Sequence, residues 1–360
     1  MRSIFGVRRA RAATAAVGVV ISAAAVVGVA GYDAVASTTV TTTSPAKAAG
    51  GWLARQLTGP NRDHYSVTFN GTQFPDAGET ADGVLAMDAA KVSQTAAARM
   101  TKWLKANAKD YATGSGFTPG TYYPGSLAKL LLVAEAQHAN VRSFGGIDLV
   151  KQLRGEEQSD GAYLNTGDKS FGSSPVAQSL AMIALSHTGS MWDWPNAKAI
   201  GWLVGQQCAD GGFSSSTSSA PAKTCTDVDA TAYAVQALIT VHSSAAARAV
   251  HWLVTHRNSD GGYGLTPDGK ASSNANSTAV AVQALRQATW SVTSGISWLR
   301  KHQIGCSGAY SRRGAVRFAG AFNQATALRA TTQAGQALAL RWLGSISDNN
   351  AIDAAPRLKC

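Results

Sequence analysis

One unit recurs along this chain, and a helix-forming repeat of about fifty residues leaves few folds open. Trp-Leu pairs stand at Trp52-Leu53, Trp103-Leu104, Trp202-Leu203, Trp252-Leu253 and Trp298-Leu299, with steps of 51, 50 and 46 residues between clear neighbours. Ala-Val-Gln-Ala-Leu follows at 234–238 and 281–285, and Gly-Gln-Ala-Leu at 335–338. A Trp-less unit around Leu149 brings the number to six. Each unit reads helix, loop, helix: Ile200, Leu203 and Val204 recur at helical spacing, Asp210-Gly211-Gly212 stops that helix, and Asp227 or Asp229 caps the next. The second helices are Ala-rich, which allows close approach to neighbours on both sides. A helix pair cannot bury its apolar stripe alone, so the units must stack, either as an open solenoid or as a closed ring.

The flanks read differently. Arg2, Arg8, Arg9 and Arg11 precede an apolar stretch at 12–31 that is long enough to anchor in a membrane, and Ala34-Val35-Ala36 is a small-x-small cleavage pattern. Residues 1–36 are therefore expected to be a signal peptide, 37–49 a flexible Thr-rich leader, 50–345 the repeat domain and 346–360 a C-terminal tail. No second long apolar segment follows, so nothing should span a membrane after cleavage. The formal charge is +11, and losing four Arg and one Asp leaves 28 basic against 20 acidic side chains. That surplus lacks the Lys/Arg runs of a nucleic-acid binder, although it suits loose attraction to an anionic cell-envelope polymer.

Four cysteines in an exported chain read as disulfides, with three pairings open. Cys208 and Cys225 bracket one Ser-rich loop and are the favoured pair; Cys306 with Cys360 would then tie down the tail. The absence of CxxC and HxxxH spacing gives no reason to expect zinc, and no cofactor motif was found.

The repeat resembles that of the squalene-cyclase and prenyltransferase superfamily: basic, small, two residues, aromatic, aliphatic, three residues, Gln, three residues, Gly, one residue, Trp. Lys198, Ala199, Trp202, Leu203, Gln207 and Gly211 match it, with Phe213 closing. The next unit gives Arg248, Ala249, Trp252, Leu253, Gly261 and Tyr263, with Arg257 in place of Gln; the last gives Gly295, Trp298, Leu299 and Gln303, then drifts to Gly308 and Tyr310. The resemblance implies an all-α fold, an α6/α6 toroid of six helix pairs, with a largely apolar central cavity. It does not fix an activity, because the superfold carries cyclases, protein prenyltransferases and thioester domains.

The branch signatures narrow this. The Asp-x-Cys zinc element of protein prenyltransferases is missing where Asp227-Val228-Asp229 stands, and Cys306 lacks the Glu-Gln of a thioester. Class II cyclases carry Asp-x-Asp-Asp-Thr-Ala; here the run is Asp227-Val228-Asp229-Ala230-Thr231-Ala232, which retains two of the three acids. Ordinary helix capping explains both acids, since Asp76 to Glu79 and Asn274 to Asn276 occupy the same place in other units. In a closed ring these helix starts share one mouth, where Asp76, Glu79, Asn274 and Asn276, joined by Arg312, Arg313 and Arg317 from the last loop, are the ligand-contact candidates. The aromatics Tyr163, Phe213, Tyr263 and Tyr310 at a repeated position are expected to pack the loops. The favoured reading is a secreted or cell-surface binding module for an apolar, prenyl-like or bulky small ligand. A cyclase using Asp229, with Asp227 beside it, to protonate an alkene is the alternative, and a structural envelope protein the third.

Overall fold

The computed structural model describes residues 40–114, 121–165, 173–217, 222–264 and 272–360. The signal segment expected over 1–36 lies outside them.

Numbered in chain order, six inner helices are α2 (Ala77–Ala90), α5 (Pro124–Ala136), α7 (Pro175–Ser186), α9 (Val228–Thr240), α11 (Ala275–Gln287) and α13 (Gln324–Leu338). Each packs on the next, and α13 packs back on α2, so the ring is closed. Six outer helices alternate with them: α1 (Pro45–Arg55), α3 (Gln94–Ala106), α6 (Leu149–Gly155), α8 (Ala197–Gly205), α10 (Ala246–Thr255) and α12 (Thr293–His302). A short α4 (Ala108–Thr113) follows α3. The inner helices run parallel: the Asp82 and Lys129 side chains meet midway along α2 and α5, and Gln287 reaches Thr240 where α11 and α9 end. Small residues make this spacing possible. In α9, Ala230, Ala232, Ala234 and Ala237 are all buried, leaving almost no face to solvent. The result is the all-α toroid that the family resemblance implied.

The units are fastened by a joint that the repeat encodes. Gln207, just past α8, donates to the Gly211 carbonyl and to the Ala245 carbonyl at the start of the next outer helix. Gly211 has φ +98°, and a Cβ there would lie 2.7 Å from the Arg248 carbonyl oxygen. It is thus a site of close approach between units rather than the end of α8, which stops earlier at Gly205. Trp252 then donates its indole N–H to the Asp210 carboxylate at 3.1 Å, and Trp298 does the same to Asp260 at 2.8 Å.

A second tether joins loop to inner helix. The backbone N–H groups of Tyr65, Phe213, Tyr263 and Val316 each donate to the hydroxyl of Thr80, Thr231, Thr278 and Thr331 respectively, while Tyr163 uses the Gln178 amide oxygen. Thr231, the Thr of the near-cyclase run, is therefore a structural tether. The comparison also corrects the last unit: Val316, not Tyr310, holds the repeated position, and Tyr310 is 55% exposed. Its glycine is Gly314, whose φ of +95° matches that of Gly211.

The flanks are more ordered than their composition implied. Instead of a flexible leader through residue 49, Pro45 opens α1 with Ser44 as its cap. Strand β1 (Thr41–Thr42) pairs in parallel with β4 (Arg357–Leu358). The tail crosses the ring: Leu343 donates its N–H to Gln236, Asp348 to the Ala136 carbonyl, and Ser93 and Gln94 donate to the Ala354 and Ile352 carbonyls. The hairpin of β2 (Tyr65–Phe69) and β3 (Thr72–Asp76) delivers Asp76 to the start of α2. Both disulfides are present, Cys208–Cys225 with Cα atoms 5.8 Å apart and Cys306–Cys360 with 5.5 Å.

Candidate functional site at the mouth of the ring

The inner helices start at one mouth, where α2, α9, α11 and α13 are capped by a side-chain carboxylate or amide and α7 by the Ser174 hydroxyl. Asp76 accepts from the Glu79 N–H, Asp227 from Ala230 and Asn274 from Ser277, each at 2.9 Å. Asp227 is thus committed to α9. Asp229 is not, and faces α11, where Ser277 hydrogen-bonds it. Burial pushes its pKa up to about 6, with Asp227 adding to the rise while the Ser277 bond and Arg329 oppose it. Its Oδ1 has no partner, nor has Asn276 Oδ1. Glu79 accepts from the Thr332 hydroxyl at 2.7 Å and is pushed up to about 7, first by burial and then by Asp82.

Asp76, Glu79, Asp227, Asp229, Asn274 and Asn276 thus stand at the starts of α2, α9 and α11. The arginines behave differently. Arg312 lies over the Phe322 ring, 4.5 Å from its centroid. Arg313 donates to the Gly308 carbonyl, and Arg317 to the carbonyls of Lys301, His302 and Gly320, so those two fasten their own loop.

The interior corrects the expectation of a largely apolar central cavity. Asp82 and Lys129 form a 2.7 Å ion pair within the barrel. Burial works against the Lys129 ammonium, but Asp82, Tyr111 and Tyr233 outweigh it and raise its pKa. Tyr233 from α9, Gln283 from α11, Gln333 and Gln336 from α13, and Leu343 from the tail complete the packing. The void left on the axis is about 10 Å³, room for about one water. Reading the sixth residue after each cap would have found this layer, since Asp82, Lys129 and Tyr233 all stand there. Attention to the caps alone missed it.

Space lies instead around the rim. A cavity of about 360 Å³ lies where α4 meets the starts of α5 and α7, lined by Tyr111, Tyr123, Ser126, Lys129, Tyr163, Asn165 and Ser174 and by the apolar Pro124, Val176, Ala177 and Leu180. Tyr111 separates it from a second, of about 400 Å³, lined by Asp76, Gly78, Trp103, Asn107 and Asp110. Among the described residues no cluster of three His, Cys, Asp or Glu side chains could hold a metal ion.

A family model described as the prenyltransferase alpha-alpha toroid domain matches residues 80–323. The chain belongs to this family. Solved structures share the toroid. A type II terpene cyclase, MstE from Scytonema, is 15% identical with a TM-score of 0.58, the match covering 82% of this chain and 96% of that one. An unsaturated glucuronyl hydrolase specific for heparin is 13% identical with a TM-score of 0.58, covering 82% and 95%. A protein from Actinoplanes is 16% identical with a TM-score of 0.55, covering 82% and 98%. At these identities the likeness is one of fold. No curated protein sequence matches the chain.

Proposed function

We propose that this prenyltransferase-toroid protein is a secreted binding module whose site is the rim cavity between α4, α5 and α7, and whose ligand is a polar, ring-bearing molecule such as a sugar unit of an envelope glycan. The observation that carries this is the lining of the 360 Å³ cavity: the rings of Tyr111 and Tyr123 beside Lys129, Ser126 and Ser174. Aromatic faces with a few fixed polar groups bind and orient a polar ring, and the volume is within the range of small-ligand sites. The apolar or prenyl ligand expected from the repeat fits poorly. On the axis it would have to separate the part-buried Asp82–Lys129 ion pair. Two disulfides and the basic, apolar, small-residue succession at 2–36 support export.

The cyclase reading keeps one observation in its favour, the raised Asp229 carboxyl with its unpaired Oδ1. Arg329 and the start of α9 both favour the ionised form, which opposes a proton donor. Thermal unfolding distinguishes the readings. Short β-linked amino-sugar oligomers should raise the melting temperature of wild type and not of Tyr123→Ala, whereas farnesol should leave both unchanged. Conversion of a linear prenyl chain to cyclic product by wild type but not by Asp229→Asn would replace the binding reading with the cyclase one. A rim that takes neither probe leaves the structural envelope role.

A further inference from the structure

At the end of the ring opposite the mouth, four consecutive inner helices, α7, α9, α11 and α13, give way to loops. The loops after α7, α11 and α13 carry exposed apolar side chains: Met191 and Trp192 are each 88% exposed, Trp290 50% and Leu340 42%. Their exposure is built in. The Met191–Asp193 turn is pinned from beneath by Asp193, which is buried and paired with Arg142 at 2.6 Å, and Arg154 donates to the Trp192 carbonyl. Trp194 stacks against His242 of the neighbouring loop, 6.4 Å between centroids, which ties two of the four loops into one surface. Rings held outward by a rigid frame, at a cost in hydration, mark an interaction surface.

The charge of this arc selects the partner. In 187–196, 241–245, 286–292 and 339–342 the only acid is Asp193, already paired, whereas Arg286 and Arg341 are exposed. Met191 and Leu340 have no flat face on which a sugar could stack, so the combination of aliphatic, thioether and indole groups with arginines is that of a bilayer interface.

We propose that this arc docks the protein on an anionic lipid surface, with Met191, Trp192, Trp290 and Leu340 entering the headgroup region and Arg286 and Arg341 meeting lipid phosphates. The mouth then faces away from the membrane. The test uses residues 40–360, within which the closed ring, the β1–β4 clasp and both disulfides all lie. Co-sedimentation with vesicles of mixed phosphatidylglycerol and phosphatidylcholine should bring down wild type. The double variant Trp192→Ser with Trp290→Ser should partition about tenfold less, the equivalent of roughly 1.4 kcal/mol. The pair Arg286→Gln with Arg341→Gln should abolish the preference for anionic over purely zwitterionic vesicles. Phe69→Ser, on the β2–β3 hairpin and 64% exposed, should bind as wild type does. All these side chains are exposed, so melting temperatures should be unchanged and any loss of binding is a surface effect. Equal sedimentation of the double Trp variant overturns the proposal, as does binding to insoluble wall glycan in place of vesicles.

Discussion

Trp52 donates its indole N–H to the Ser311 carbonyl at 3.1 Å, joining residues 259 positions apart. Trp252 and Trp298 make the corresponding bond to an aspartate one unit back, so the chain closes its ring with the joint it uses between neighbours. Gln303 completes the closure by donating to the Pro45 carbonyl, as Gln207 does to Ala245. Trp52→Phe removes this bond, worth about 1 kcal/mol in urea unfolding, and adds the packing loss of the missing buried ring atoms. Trp252→Phe removes the donor to the Asp210 carboxylate and should cost more, about 1.5 to 3 kcal/mol. Identical midpoints for Trp52→Phe and wild type would show that the bond adds nothing to closure.

What the sequence made legible follows its periodicity. The caps Asp76, Asp227 and Asn274 stand at one repeat position and do one job. What stayed hidden has no local signal. Asp82 and Lys129 are 47 residues apart, and only the ring's curvature brings them together. The Val316 position was obscured because the loop after α12 is longer and Tyr310 mimics the expected aromatic. Pro45 looked like part of a Thr-rich leader because an Ala-rich first turn is weakly patterned, and α1 gains its stability from packing on α2 and α13.

The tail disulfide should matter more than the loop disulfide. Cys306–Cys360 closes a sequence separation of 54 and Cys208–Cys225 one of 17. In the chain-entropy model these are worth about 4 and about 3 kcal/mol. Replacing the first pair by serines should lower the melting temperature further, and should speed hydrogen exchange at Thr41 and Arg357, whose strands it secures. Loss of protection at the Cys208 loop alone would contradict this.

Stability should decline as pH rises. Burial pushes Asp88 up to about 8, against the opposing hydrogen bond from Gln137, and burial with Asp193 pushes Glu135 up to about 9. Between the ordinary carboxyl range and those values the folded chain holds protons that the unfolded chain has released. Each group therefore removes up to about 1.4 kcal/mol per pH unit across its window, and the penalty is absent below it. Asp88→Asn should flatten the profile measured by urea unfolding at acidic, neutral and alkaline pH. A profile that rises from neutral to alkaline pH would refute the assignment.

The two acids of α9 should separate cleanly. Asp227→Ala deletes the cap on Ala230 and should cost about 1 kcal/mol, whereas Asp227→Asn should cost little. Asp229→Asn leaves that cap intact and removes a buried carboxyl raised to about 6, so it should be neutral or stabilising at alkaline pH. A large loss of stability for Asp229→Asn, measured beside Asp227→Asn, would mean that Asp229 holds the helix after all.

Ring closure can also be attacked through backbone space alone. Gly314 has φ +95°, a conformation that a side chain disfavours by about 1 to 2 kcal/mol, and a Cβ there would stand 2.4 Å from the Ala48 carbonyl oxygen. Neither atom can yield without moving the loop after α12 away from α1, so Gly314→Ala should cost about 2 to 4 kcal/mol once crowding is added to strain. Gly320, six residues on, has nothing within 4 Å of its would-be Cβ, and Gly320→Ala should be nearly neutral. Gly161 offers the internal comparison, because its Cβ would meet the Lys198 carbonyl at 2.3 Å between two middle units. Both the Gly161 and Gly314 changes should lower the unfolding midpoint, but only Gly314→Ala should expose α1 to hydrogen exchange below the global transition, since it opens the ring where its first and last units meet. Equal protection of α1 in the two variants would mean that the seam between those units is no more separable than any other joint.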